Sequence, residues 1–346
     1  MIDTIQFGIK KDFEVSKNNR LKTKTILDNE TGEFIESYFY NDEILNLNID
    51  YKGLSVKTNL SKLQGLGVKG LGVNNFYPLG ANSFKAAIDT LERVFDSIGV
   101  IADLDKAEIW RLDLFKNVET SKPYGVYKDV LSNLNLKRTH SRQYPEGYLM
   151  KNGLRELMFY NKIKELTEKL GFAYVRQLGF NSENIVRGEL RFLKHKEVKR
   201  QGIEFLKEIP DKWKDLKEIY SGYMSEVFRF EFQGGEDLKV ETLKVLISNA
   251  MISLMLQGKG AIKYYGFYPY SFVNRDELLS ALLNHFSRDR SYKILAEIEK
   301  FKKHSLTKDV DYKKLYDELK EKFLRGWDIL SGRVDFLSGD TQDFNR

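Results

Sequence analysis

Three short runs constrain this chain more than anything else in it. They are Arg111-Leu112-Asp113, Tyr160-Asn161-Lys162-Ile163-Lys164-Glu165 and Arg187-Gly188-Glu189-Leu190-Arg191. Each lies in or beside a strand-like segment. Successive side chains on a strand point to opposite sides, so alternation gathers the charged residues of each run on one face. Arg111 shares a side with Asp113. Arg187, Glu189 and Arg191 share another, and Glu156, Met158, Tyr160 and Lys162 a third. The intervening Trp110, Leu112 and Leu114 are left to face a core.

The surrounding pattern sets the fold class. Asp28-Asn29-Glu30-Thr31-Gly32 separates two strand-like runs and reads as a hairpin turn. Gly53–Leu60 is a further strand. Phe84, Ala87, Ile88, Leu91, Val94, Phe95 and Ile98 recur at helical spacing, with Ser83 as the expected N-cap and Gly99 as the stop. Glu108–Phe115 is a strand. A helix opens at Ser121-Lys122-Pro123 and runs to about Leu134. Lys137–Met150 reads as a basic, polar loop. Leu154–Lys162 is a strand that runs into the helical Ile163–Leu170, and Ile185–Leu193 is a strand. This order predicts an α+β domain on a largely antiparallel sheet with flanking helices. After about residue 205 the periodicity is mainly helical, over Pro210–Val227, Glu241–Gln257, Asp276–Lys303 and Val310–Leu324. The expected division is an α+β domain over 1–205 and a mainly helical C-terminal region over 206–346.

Composition removes several alternatives. The 346 residues contain no cysteine, which excludes disulfides and thiolate metal sites. The four histidines, His140, His195, His285 and His304, are scattered singly and do not form a zinc-binding pattern. The net charge of +6 and a pI near 9.0 are compatible with a polyanionic partner. No apolar stretch reaches membrane-spanning length, about 18 residues, and the N-terminus lacks a signal-peptide pattern. A cytoplasmic protein with no membrane contact is expected. Gly65-Leu66-Gly67-Val68-Lys69-Gly70-Leu71-Gly72 lacks the Gly-Lys-Ser/Thr of a P-loop and reads as a substrate-facing loop.

If the three charged strands are neighbours, Asp113, Glu189, Tyr160 and Lys162 converge. Carboxylates suit a hard divalent ion such as Mg²⁺ or Mn²⁺, which completes its shell with phosphate oxygens. A tyrosine hydroxyl becomes a nucleophile once a base or cation assists it, and cations stabilise the charge that develops on a phosphate. Lys164, four residues after Tyr160, would share its face on a helix. Lys194, His195, Lys196, Lys199 and Arg200 form a basic run suited to a phosphate backbone. Tyr264-Tyr265-Gly266-Phe267-Tyr268-Pro269-Tyr270 could stack unpaired bases or pack a turn between helices. Alternation by itself equally describes a solvated sheet face with cross-strand ion pairs.

A set of short motifs in a common order adds to this. It comprises Met1-Ile2-Asp3, Asn59-Leu60-Ser61-Lys62-Leu63, Asn74-Asn75-Phe76, Ile109-Trp110-Arg111-Leu112-Asp113, Tyr160-Asn161-Lys162 with Glu165, Arg187-Gly188-Glu189-Leu190-Arg191 and Tyr265-Gly266-Phe267-Tyr268. In these the chain resembles the gene II/X replication initiators of filamentous phages and related plasmids, and distantly the trans-acting rolling-circle plasmid initiators. The resemblance implies an HUH-endonuclease-like catalytic domain and a sequence-specific, metal-dependent DNA nickase. A tyrosine would attack one strand at the origin, giving a 5′-phosphotyrosine and a free 3′-OH primer, and the strand would later be rejoined.

Carried over, Tyr160 is the nucleophile. Asp113 and Glu189, with Glu165, are the ligands of Mg²⁺ or Mn²⁺. Lys162 or Lys164 assists, and Arg111, Arg187, Arg191, Lys194, His195, Lys199 and Arg200 contact DNA. The expected partners are origin DNA, single-stranded or supercoiled, with a host helicase, a polymerase and a second copy of the chain as further candidates. The His-hydrophobic-His metal motif of the wider class is absent, and Lys164 stands where a second tyrosine would be. Tyr144, Tyr148 and Tyr174 are alternative nucleophiles. The competing readings are a non-catalytic origin-binding regulator and a phosphodiesterase that uses water.

Overall fold

The computed structural model describes residues 1–16, 20–27, 31–67, 76, 79–132, 134, 136–177, 183–229 and 312–325, with short pieces between 279 and 296. Its frame is a ten-stranded antiparallel sheet. One wing is β3 (Lys22–Leu27), β4 (Phe34–Asn41), β5 (Leu45–Asp50) and β6 (Gly53–Asn59), each paired to the next. The centre is β1 (Ile2–Ile9), β8 (Glu108–Glu119) and β12 (Ile185–Phe192). The other wing is β11 (Arg155–Asn161), β10 (Gly147–Lys151) and, at the edge, β9 (His140–Tyr144). A separate pair joins β2 (Phe13–Val15) to β7 (Val100–Ala102). The hairpin expected around residues 28–32 is present, with Leu27 opposite Phe34.

One face of the sheet is apolar and covered. Leu112, Leu114, Leu157, Phe159 and Leu190 on it are buried in one core with residues of α2 (Ala81–Ile98), α3 (Tyr124–Ser132), α7 (Trp213–Val227) and α8 (Tyr312–Leu324), among other helices. The short α1 (Leu60–Gly67) packs against α2 and against β1 and β6, and contains Gly65 to Gly67 of the glycine-rich segment; residues 68–72 of that segment lie outside the described residues. The polar side carries α4 (Lys162–Leu170) and α5 (Phe172–Gln177), whose Ile163, Leu166 and Val175 cluster with Phe76 and Ile185. At one end α6 (His195–Arg200) packs against β8 and β12.

The expected boundary near 205 does not separate α7 and α8 from the sheet. Tyr220, Met224 and Val227 of α7 and Leu315, Leu319 and Phe323 of α8 belong to the same core as β8. Lys116 of β8 is buried on this face, and its Nζ donates to the carbonyl oxygens of Lys322 (2.7 Å), Phe323 (3.3 Å) and Arg325 (2.5 Å). A helix ends with carbonyls that have no intrahelical partner and with the negative end of its dipole, so a lysine there satisfies both. Gly188 of β12 lets the helices approach. A Cβ there would lie 2.7 Å from the Phe323 ring and 2.8 Å from the Tyr220 hydroxyl, which donates to the Gly188 carbonyl. The expected helices over 241–257 and most of 276–303, and the aromatic cluster at 264–270, lie outside the described residues.

Three local expectations change. Helix α2 is capped by Gly80 rather than Ser83, which is buried in its first turn; its C-cap is Gly99, in the left-handed region at φ 77° as expected. Lys137–Met150 contains strands β9 and β10 joined at Pro145-Glu146. Strand β9 is an exposed edge strand, so neither of its sides is apolar and its alternation is invisible. Trp110 does not face the core. Between Gln6↔Arg111 and Phe7↔Ile109 the ladder shifts by one residue, a bulge in β8 that buries Ile109 and leaves Trp110 half-buried over Gly8.

Candidate active site on the polar face

Opposed residues in an antiparallel ladder share a face. On β12 and β8, Arg191 lies opposite Asp113, Glu189 opposite Phe115 and Arg187 opposite Asn117. On β12 and β11, Arg191 lies opposite Glu156, Glu189 opposite Met158 and Arg187 opposite Tyr160. The register therefore brings Asp113, Glu189 and Tyr160 together, as alternation predicts.

Their hydrogen bonds form one network. The Tyr160 hydroxyl donates to Glu189 Oε2 at 3.0 Å. The other carboxylate oxygen of Glu189 accepts from Arg191 Nε at 2.8 Å, and Arg191 Nη1 reaches Glu156 Oε2 at 3.3 Å. Arg191 Nε also stands 3.9 Å from Asp113 Oδ2. Arg111 grips Asp113 bidentately, at 2.8 and 2.7 Å. Asp113 and Glu189 are buried, at 1% and 3% exposure, while the two arginines keep contact with solvent. Burial, and then the charge of Glu189, push the Asp113 carboxyl up to about 7 against the pull of Arg111. Burial, and then Glu189, hold the Tyr160 phenol well above its ordinary range.

A second layer lies beneath. Arg187 is fully buried, so it supports the site from below rather than reaching a DNA backbone. Its Nε donates to Asn117 Oδ1 at 2.7 Å, its guanidinium stacks 3.8 Å from the Phe115 ring centroid, and Nη1 is 3.6 Å from Asp3 Oδ1. Asp3 falls where β1 carries one residue more than β8, between Ile2↔Leu114 and Ile5↔Leu112, and such a bulge re-aims a side chain. Asn161 is the N-cap of α4: its Oδ1 accepts from the Lys164 amide at 3.1 Å, and its Nδ2 donates to Glu183 at 2.6 Å. The cap turns the chain from strand to helix immediately after Tyr160. It sets Lys162 in the interior, where burial, and then Arg187, draw its ammonium down to about 7 against Glu165.

The other expected site residues stand apart. Glu165 is held by Lys162 and Lys169, not by Asp113 or Glu189. Burial alone would raise Glu165, but the two lysines outweigh it and hold the carboxyl at about 2. Lys164 is on α4, not on a helix shared with Tyr160, and donates to Glu146 at 2.7 Å. His195 Nδ1 bonds the Ile109 carbonyl at 2.9 Å. Lys199 pairs with Glu204 and Arg200 with Glu197, and Lys194 is exposed at the start of α6. Of the alternative tyrosines, Tyr148 is buried on the opposite face and donates to Leu134. Asn117 was legible in principle by carrying the alternation of β8 four residues past Asp113. Asp3 was not, because a bulge breaks the period that would reveal it.

Among the described residues no three His, Cys, Asp or Glu side chains stand close enough to hold a metal by themselves. A hard divalent ion that keeps waters and takes phosphate oxygens needs one or two carboxylates. Asp113 and Glu189 meet that need: they offer oxygen donors only and share one face, and the charge of Glu189 adds to burial in raising the Asp113 carboxyl, which a cation would relieve.

Residues 1–212 match the family model for the N-terminal region of the replication-associated gene II protein. The chain belongs to that family. The region matched in this replication-associated protein holds the twelve strands of the described residues and ends just before α7. Among solved structures, a rolling circle replication initiator protein from Geobacillus stearothermophilus is similar, at 14% identity, with 66% of this chain and 84% of that chain covered and a TM-score of 0.31. No curated protein matches. Among the described residues no helix is long and apolar enough to cross a membrane.

Proposed function

We propose that the protein initiates rolling-circle replication by nicking and rejoining origin DNA through Tyr160. Membership of a replication-associated family supports the process, and the Tyr160–Glu189 hydrogen bond supports the chemistry. The Tyr160 oxygen attacks the scissile phosphorus, the phosphorus to 3′-oxygen bond breaks, and the 3′-OH leaves as primer. The 5′-phosphate stays on the tyrosine, and attack by a 3′-OH reverses the exchange. A phenol held above its ordinary pKa stays protonated at neutral pH, so it must lose its proton to a group in contact. Glu189 is that group, and Arg191 fixes its orientation. Arg111 and Arg191, at the solvent edge of the network, are placed to neutralise charge on the phosphate.

Asp113 and Glu189 would hold Mg²⁺ or Mn²⁺, which when bound supplies Lewis-acid polarisation of the phosphate. Glu165 keeps Lys162 in place rather than joining this pair. The test is single-stranded DNA from the protein's own replicon, labelled and run with the protein on a denaturing gel, with and without Mn²⁺. A metal-dependent shifted band that is absent in Tyr160→Phe is the expected result. Cleavage without a band makes water the nucleophile. Neither, on DNA known to contain the origin, leaves an origin-binding regulator.

A further inference from the structure

The edge strand β9 plays no part in the chemistry above, yet it carries side chains on the same face. Gly147 of β10 lies opposite Tyr160 on one side and opposite Tyr144 on the other. Opposed residues share a face, so the two tyrosines stand in one row, two strand spacings or about 10 Å apart. The residue between them has no side chain. Tyr144 is 37% exposed, and the Arg142 guanidinium lies 4.9 Å from its ring centroid. In the next rows Arg142 is opposite Leu149 and His140 opposite Lys151. Charged side chains on an edge strand guard against pairing with other sheets. That role accounts for Arg142 and His140 but not for an exposed aromatic ring beside them.

We propose that Tyr144, with Arg142, is a stacking subsite for one base of the single strand whose phosphate lies at Tyr160; this rests on Tyr160 being the nucleophile. The occupant is single-stranded because only an unpaired base offers its face to a ring. The cations Arg142 and Lys151 on the same face match its backbone charge. Every base has a π-face, so the subsite tolerates any sequence.

The experiment uses the full chain carrying Tyr160→Phe, which cannot cleave. Binding is read by fluorescence anisotropy at fixed salt on two probes of equal charge: oligo-dT of about 12 nucleotides, within the span one protein module covers, and an abasic strand of the same length. Adding Tyr144→Ala is expected to weaken oligo-dT binding about 5- to 150-fold, the range for loss of one base–aromatic stack, and to leave the abasic strand within about twofold. Tyr144→Phe is expected to retain the preference for oligo-dT. An unchanged affinity for oligo-dT in Tyr144→Ala, or an equal loss on both probes, overturns the proposal. Adduct formation by the wild-type chain is measured separately. Its absence removes Tyr160 as nucleophile whatever the binding shows, and its presence without the base-dependent loss removes the subsite alone.

Discussion

Strands β8 and β12 are the same backbone seen from two sides, and the sides handle buried charge differently. On the covered face the Lys116 ammonium donates to carbonyl oxygens at the end of α8, so a buried cation is matched there by dipoles. On the polar face Asp113, Glu189 and Glu156 are matched by Arg111 and Arg191 in a network that touches solvent. Ionic partners set close together in a partly buried site shift proton affinities, and Asp113 on β8 and Tyr160 on β11, both shifted upward, lie in this network. The first face packs the strands against helices; the second carries the proposed site.

Substitutions on the two sides should therefore fail in different ways. The largest effect is expected on the polar face. Tyr160→Phe should abolish the covalent adduct while leaving DNA affinity and the unfolding temperature near wild type. Asp113→Ala and Glu189→Ala should abolish nicking, with no recovery at high Mn²⁺; full activity in either removes that residue from the metal pair. On the covered face, Gly188→Ala should lower stability by about 3 kcal/mol, the upper end for overpacking, because its Cβ meets two side chains below 3 Å. Adduct formation should survive at low temperature. A Gly188→Ala protein with wild-type unfolding would show that α7 and α8 do not press on the sheet.

Lys116→Met should cost about 1–2 kcal/mol by leaving the α8 carbonyls without a donor, read by urea unfolding. The smallest effect is expected for Glu165→Gln, about 1 kcal/mol at neutral pH, since Lys162, already drawn down to about 7, can release its proton when that carboxylate is lost. Because Glu165 is held at about 2, below its ordinary 4.5, its contribution is present above pH 4.5 and lost as pH falls through 4.5 toward 2. The stability gap between wild type and Glu165→Gln should therefore close over that range. A gap that is constant with pH would mean that the lysines do not depress Glu165.

How much of this was legible depended on the period. Strands β11 and β12, and most of β8, alternate cleanly, so Asp113, Glu189 and Tyr160 could be assigned to one face before any register was known. Alternation fails at a bulge, which hid the burial of Ile109 and the role of Asp3. It also fails on an edge strand wet on both sides, which hid β9 and with it the row that joins Tyr144 to Tyr160. Spacing misled at Lys164, because the i,i+4 rule holds only when both residues are on one helix, and Asn161 starts the helix one residue after Tyr160.

The sequence by itself determined the α+β class, the charged faces and the identity of the groups that share them, since a period of two in a strand is a local property. Only the tertiary structure decided which carboxylate meets which cation. Asp113 and Glu189 lie 76 positions apart in the chain and are joined through Arg191 by the order of β8 and β12. Strand order and bulge position are set by packing of the whole sheet against α2, α7 and α8, and no local period encodes them.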